Sequence, residues 1–232
     1  MIYVTGDIHA DLQKREKLFR SYTADDILIV LGDFSYSWDS YTEQEWDAYK
    51  FPFTTLAVLG NHENYSSIYD SYPKVKVFGG AAYKFNQNTF YLVNGEVYEI
   101  GGYRWLCFGG ALSPDWKDRI PYVSWWKQEL PTQEDYKRAL KNAHDIDFLI
   151  THACSETELE TMFPVRLFDI NDPTSKMIEN IIKVLWQTKR FKRHLFGHMH
   201  KNLEHDFGAY KANCLYGKVL SAKEKSCLGS DK

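Results

Sequence analysis

The sequence predicts an α/β protein built on a parallel sheet, and three observations carry that prediction. Short apolar runs alternate with polar, helix-patterned segments over the first sixty residues. Each run stops at a glycine followed by a polar side chain, at Gly6-Asp7, Gly32-Asp33 and Gly60-Asn61. The middle of the chain then changes to closely spaced β-patterned segments broken by Gly and Asn.

Taken in order, Met1–Thr5 reads as a strand, Asp11–Arg20 as a polar helix and Ile27–Leu31 as a buried strand. Thr42–Lys50 follows as a second helix and Leu56–Leu59 as a third strand. Short apolar strands alternating with helices imply a parallel sheet covered on both faces. In such sheets ligands bind at the carboxyl ends of the strands, where all three Gly-Asp or Gly-Asn pairs fall. Val75–Gly79, Ala82–Phe85, Thr89–Val93, Val97–Ile100 and Trp105–Gly109 read as short strands of a second sheet packed on the first. Asn94-Gly95, between two of them, is a hairpin signal.

Helices then return. Thr132 with Asp135 three residues later resembles a capping box, opening a helix that runs to about Asn142. Phe148–Thr151 is a strand ending at His152. Asp172-Pro173 places an N-cap before a first-turn proline, and the helix beyond it carries Met177, Ile181 and Leu185 beside Ile178 and Ile182, a wide apolar stripe. His194–Phe196 is a last strand, ending at Gly197-His198. Residues 1–218 are expected to form one domain, and 219–232, rich in Lys, Ser and Gly, a flexible tail.

Bulk properties narrow the class. A chain of 232 residues with 44% hydrophobic residues suits one sizeable domain and argues against disorder. A net charge of −3, with both signs intermixed, argues against a dedicated nucleic-acid surface. The four cysteines, Cys107, Cys154, Cys214 and Cys227, have no metal-finger or disulfide-framework spacing, which suits a reduced, cytoplasmic setting. No apolar run approaches membrane-spanning length, and Asp7 leaves no room for a leader's apolar core before it.

The polar residues at the strand ends carry the chemistry. Asp7 and His9 sit in GDIHA, Asp33 in LGDF, Asn61 and His62 in LGNHE, His152 after LIT, and His198 and His200 in LFGHMH. The Asp-x-His and His-x-His spacings put both side chains on one side of an extended segment. A carboxylate bridges two cations through its two oxygens, and imidazole with carboxylate suits Mn, Fe, Zn or Ni. Taken singly, each Asp reads as a turn or capping residue and each His as a packed or exposed one, which is how His144, His194 and His205 are read. Recurrence of the others in this order at successive strand ends is what turn chemistry does not explain.

GDIHA, GDF, GNHE, the isolated TH and GHMH resemble the ordered motifs of the calcineurin-like metallophosphoesterase superfamily, from Asp7 to His200. The resemblance implies a four-layer fold, two mixed sheets sandwiched between helices, with a pair of divalent metal ions at the strand ends. It implies that Asp7, His9, Asp33 and His200 hold one ion, that Asp33, Asn61, His152 and His198 hold the other, and that Asp33 bridges. His62 is then the catalytic residue that approaches the phosphate, and Glu63 orients the site. The implied reaction is in-line attack on a phosphate ester by a hydroxide bridging the metals, about 3.5–4 Å apart in such sites.

Departures from the pattern bear on the substrate. Members that act on phosphoproteins carry an arginine shortly after GD, where this chain has Phe34, Ser35, Tyr36 and Ser37, and after the GNH motif, where it has Asn64. This favours phosphodiesters or small nucleotide-type esters as partners over phosphoproteins. A nuclease on the same scaffold is disfavoured by the lack of a broad basic face, and a silent protein-binding scaffold by the complete ligand set. Tyr36 and Trp38 are candidates for the pocket wall. Ser113–Pro131, with Trp116, Lys117, Arg119, Tyr122, Trp125 and Trp126, reads first as a packed surface loop and second as an overhang that stacks a base. Lys189, Arg190, Lys192 and Arg193 read as a solvated helix terminus, and Cys154 as a small buried residue.

Overall fold

Alternate residues of the central strands point into two different cores, and this parity builds the architecture. On β2 (Ile27–Val30), Leu28 and Val30 face one cluster while Ile29, with Leu31 just beyond the strand, faces another. On β8 (Tyr103–Phe108), Trp105 and Cys107 join that second cluster, and Leu106 and Phe108 face a third. The shared cluster is the layer between two sheets, because side chains alternate faces along a strand and both inner faces must be covered. The computed structural model describes residues 1–11, 19–34, 51–163 and 171–222.

The first sheet has seven strands in the order β13-β1-β2-β3-β6-β5-β4, formed by β1 (Ile2–Thr5), β2, β3 (Thr54–Ala57), β4 (Lys74–Val77), β5 (Gly80–Lys84), β6 (Thr89–Leu92) and β13 (Leu220–Ala222). The second has six in the order β11-β12-β10-β9-β8-β7, formed by β7 (Val97–Ile100), β8, β9 (Phe148–Thr151), β10 (Arg193–Phe196), β11 (Leu203–Asp206) and β12 (Lys211–Cys214). Both are mixed: β1, β2, β3 and β6 run parallel, as do β8, β9, β10 and β12, with antiparallel strands at the edges. Helix α1 (Tyr65–Ser71) buries Tyr65 and Ile68 on the outer face of the first sheet. Helices α2 (Gln133–Asn142), α3 (Glu156–Met162) and α4 (Pro173–Trp186) cover the outer face of the second. The fold is the expected α/β sandwich of two mixed sheets flanked by helices.

The expected capping devices are present. Thr132 and Asp135 bond reciprocally at the start of α2, and Asp172 accepts Thr174 N–H ahead of Pro173. Ser155 and Glu158 form a second capping box on α3.

Two expectations are corrected. The five middle strands do not make one sheet: β4, β5 and β6 extend the first sheet, and β7 and β8 begin the second. Asn94-Gly95 therefore does not close a hairpin. Both edges of β6 are already taken, by β3 and β5, so the turn carries the chain between sheets. Asn94 Oδ1 accepts Gly109 N–H at 2.7 Å, and Arg138 and Asn142 of α2 hold the Asn94 and Gly95 carbonyls, tying the turn to the second sheet. The two-residue hairpins lie at Phe78-Gly79 and Gly101-Gly102, all four residues with positive φ, as turns matching strand twist require. Leu220–Ala222, which the sequence reading places in the tail, pair antiparallel with Ile2–Val4. The expected helix Thr42–Lys50, most of Asp11–Arg20, and Tyr36 and Trp38 lie outside the described residues.

Candidate metal centre

Parallel strands deliver their ends to one edge of each sheet. β1, β2 and β3 bring Asp7, Asp33 and Asn61 to that edge of the first sheet, and β9 and β10 bring His152 and His198 to that of the second. One backbone donor joins the two edges, the His198 N–H, which Asp7 accepts on both carboxylate oxygens at 3.0 Å each, and within the first sheet His9 N–H donates to the Asp33 carbonyl at 2.8 Å.

Asp7, His9, Asp33 and His200 converge so that one donor atom from each lies within 4.8 Å of all the others. His9 Nε2 and His200 Nε2 face each other at 2.9 Å, one ring donating to the other. His9 Nε2 is 3.8 Å from Asp33 Oδ2, and His200 Nε2 is 3.5 Å from Asp7 Oδ1. Two imidazole nitrogens with two buried carboxylates fit a divalent cation of mixed N/O preference. Next to this group, His152 Nε2 lies 2.9 Å from Asn61 Oδ1 and 3.3 Å from Asp33 Oδ1, so Asp33 reaches both groups. His198 stands against His152, ring centroids 4.9 Å apart. His62 meets His9 edge to face at 5.2 Å. All eight expected residues are thus linked in one region, with the tight donor cluster limited to the first four.

The backbone is strained where these residues sit. Of nine non-glycine residues with positive φ among the described residues, five are Asp7, His9, Asp33, His198 and His200, at 49–62°. The left-handed region costs an L-residue roughly 1–2 kcal/mol, and such strain concentrates at functional sites. Two glycines before the ligands are required by close approach: a side chain at Gly60 would collide with the Asp33 carboxylate and backbone nitrogen, and one at Gly32, itself at φ +85°, with the His152 ring.

Protonation follows the same crowding. Burial opposes a charge on His152, but Asp33, with Asp7 and the Leu31 carbonyl, outweighs it and pushes the pKa up to about 9. Burial, reinforced by His152, pushes His198 down to about 3. Burial likewise pushes His62 down to about 4, with Arg119 assisting and Asp33 opposing. His152 Nδ1 donates to the Leu31 carbonyl at 2.7 Å, which turns Nε2 toward Asn61 and Asp33.

Residues that orient the site were only partly readable. Glu63, fully buried, accepts Phe34 N–H at 3.0 Å and so pins the loop after Asp33. Ser113 donates to Glu129 at 2.6 Å, so its oxygen faces the Asn61 amide as an acceptor, and Asn61 Nδ2 donates to it at 3.1 Å. This leaves Asn61 Oδ1 aimed at the centre. Tyr216 stacks on the His200 ring at 4.5 Å. No motif marks Ser113, Glu129 or Tyr216, because their roles arise only from packing between distant segments.

The Ser113–Pro131 segment divides. Trp126 is buried and donates to Ser66, and Trp125 donates to Glu129, as in a packed loop. Arg119 instead reaches the centre. The basic run leads into β10, whose first residue is Arg193, at the strand end away from His198, where Arg190 pairs with Asp147 at 2.9 Å and Arg193 with Glu204 at 3.2 Å. Helix α4 ends at Trp186, so this run follows the helix and enters β10 instead of forming the helix terminus. Cys154 is buried and free, as read.

The sequence matches the calcineurin-like phosphoesterase family over residues 1–202. The chain belongs to that family. Among solved structures, a putative 5'-nucleotidase from Staphylococcus aureus, in complex with alpha-ketoglutarate, is 18% identical with a TM-score of 0.52, and the match covers 96% of this chain and 51% of that one. The chain therefore spans about half the length of that relative, and the likeness is one of fold. The phosphopantetheinyl hydrolase of Mycobacterium tuberculosis is 11% identical with a TM-score of 0.49, covering 93% of this chain and 89% of that one. No curated protein matches the sequence. No helix among the described residues is long and apolar enough to cross a membrane.

Proposed function

We propose that this phosphoesterase hydrolyses small phosphoesters, phosphodiesters and nucleotide-type esters included, at a centre of two divalent ions. The observation that carries the reading is the convergence of Asp7, His9, Asp33 and His200 donors within 4.8 Å, with Asp33 also 3.3 Å from His152. Asp7, His9, Asp33 and His200 would hold one ion, and Asp33, Asn61, His152 and His198 the other, drawn from Mn, Fe, Zn or Ni. When bound, the ions supply an activated water and neutralise charge on the phosphoryl group.

The chain's own residues do the rest. Asp33 ties the two ligand sets together and accepts the His62 N–H at 3.0 Å, which fixes the loop carrying His62. His62, its basicity lowered by burial, is neutral at rest and serves as a hydrogen-bonding partner for phosphoryl or leaving-group oxygens. Glu63 and Ser113 hold Asp33 and Asn61 in place. The absence of arginine after the GD and GNH motifs supports small esters over phosphoproteins.

A panel of phosphomonoesters, phosphodiesters and nucleotides, assayed with Mn, Fe, Zn or Ni supplied separately, tests this. Hydrolysis of at least one small ester, abolished by chelation, is expected. No hydrolysis by the metal-loaded chain would reject the reading in favour of a binding scaffold.

A further inference from the structure

Strands β9 and β10 carry the expected ligands His152 and His198 just beyond their ends, and a chain of fully buried polar groups ties these strands to α3. Glu158 Oε1 lies 2.7 Å from His194 Nδ1, and His194 Nε2 lies 2.7 Å from Thr151 Oγ1. Thr151 Oγ1 in turn lies 2.5 Å from the Ala153 carbonyl oxygen. The direction of each bond is forced. A carbonyl oxygen only accepts, so the Thr151 hydroxyl gives its one hydrogen to Ala153 and accepts from His194 Nε2–H. His194 Nδ1–H donates to Glu158, whose carboxylate also accepts the Ser155 N–H at 2.8 Å and the Tyr210 O–H at 3.2 Å.

The bond from Thr151 to Ala153 spans His152. From Ala153 the backbone runs through Cys154 and Ser155 into α3, and Glu158 and His194 lead back to Thr151. His152 thus projects from a closed hydrogen-bonded circuit. Its Nδ1 bond to the Leu31 carbonyl, at 2.7 Å, orients the ring, while the circuit fixes the backbone that carries it. Stability alone is a weak reason for such a chain, since apolar side chains often replace a buried charged pair without loss. Directional bonds across the peptides of one residue supply what apolar packing does not, a fixed position for that residue's ring.

We propose that Thr151, His194 and Glu158 are positioning residues for His152, so that a carboxylate on α3 sets the affinity for the ion expected at Asp33, Asn61, His152 and His198. The proposal rests on the two-ion reading of the centre, and its test reads metal binding and not turnover. The full chain is titrated with Mn(II), free ion being followed by electron paramagnetic resonance, with melting temperature measured alongside. The binding step lost in His152→Ala identifies the ion concerned.

Thr151→Val, which keeps the shape and removes the hydroxyl, is expected to weaken that step about 10- to 100-fold, the range for loss of a group that holds a metal ligand in place, and to leave the other step within about threefold. Thr151→Ser restores the hydroxyl and binds both ions as the wild type does. Tyr210→Phe, which removes a hydroxyl from Glu158 without reaching Thr151, does the same. A folded Thr151→Val that melts lower but keeps both steps within about threefold shows a purely structural network and overturns the proposal. Equal weakening of both steps, or the same loss in Thr151→Ser, also overturns it. If Thr151→Val does not fold, Glu158→Gln decides: weakening of the His152 step beyond about threefold supports the assignment, and a smaller change overturns it. A wild type with no step that His152→Ala removes overturns it as well. If the ions bind as expected but no ester is hydrolysed, the functional reading fails and this assignment stands.

Discussion

Asp33 Oδ1 accepts the backbone N–H of His62 at 3.0 Å, and the same oxygen stands 3.3 Å from His152 Nε2. One carboxylate thus orders the loop that presents His62 while reaching both expected ligand groups. We expect Asp33→Asn to lose metal at both sites, because the amide gives up the charge and one acceptor oxygen. Metal content by elemental analysis checks this, and a folded Asn variant holding two ions would count against bridging.

The His62 ring meets the expected ligand His9 edge to face, and His62 is not one of the four clustered donors Asp7, His9, Asp33 and His200. His62→Ala should therefore retain its metal and lose about 10²- to 10⁴-fold in turnover, the usual weight of a residue that assists charge or proton movement. Comparing turnover at matched metal occupancy decides it, and unchanged turnover removes the assigned role.

Gly60 leaves no space for a methyl group, since a Cβ would meet the Asp33 carboxylate and backbone nitrogen. Gly60→Ala should displace Asp33, cost about 1–3 kcal/mol in stability and reduce metal content. A thermal melt with parallel metal analysis tests both, and a variant with wild-type stability and metal would show that the loop yields.

A second buried polar network lies outside the metal centre. Glu158 Oε1 is 2.7 Å from His194 Nδ1 and accepts Tyr210 O–H at 3.2 Å, with Glu158 and His194 both fully buried. Burial raises the Glu158 pKa, but His194 and the Ser155 hydrogen bonds outweigh it and the net shift is downward. A depressed folded pKa contributes stability above the unfolded value, about 4.3, and loses it as pH falls through the folded value. Stability should thus drop below about pH 4.3 in the wild type and less steeply in Glu158→Gln. The glutamine variant should also be less stable at neutral pH, by about 3–5 kcal/mol. Identical acid limbs in the two proteins would contradict the assignment.

Metal removal should lower thermal stability, because the ligands converge only in the folded chain. Ions at about a hundredfold over Kd add about 2.7 kcal/mol, or about 5–10 °C for a chain of this size. Melts before and after chelation measure this, and coincident curves would argue against a preformed centre.

Much of this was legible in the sequence because strand periodicity and strand-end motifs are local. The parallel strands, the capping box at Thr132 and the N-cap at Asp172 follow from residues within a few positions. The division of the middle strands between sheets was not, since Asn94-Gly95 has hairpin chemistry and is redirected by Gly109, Arg138 and Asn142. β11 was missed because Leu203–Asp206 is exposed throughout and carries no apolar alternation. The eight motif residues are readable in sequence as a set of candidates, whereas Ser113, Glu129 and Tyr216 meet the candidate centre only through contacts between segments distant in sequence. Arg119 lies 57 residues from His62, in a segment with no motif to mark its direction.

The most direct test of a metal-dependent phosphoesterase is a titration of the stripped chain with Mn(II), following bound metal and ester hydrolysis together. The account predicts no turnover in the stripped chain and turnover that rises to its maximum as the second equivalent binds. Full turnover without metal, or none of any ester with both sites loaded, would contradict it.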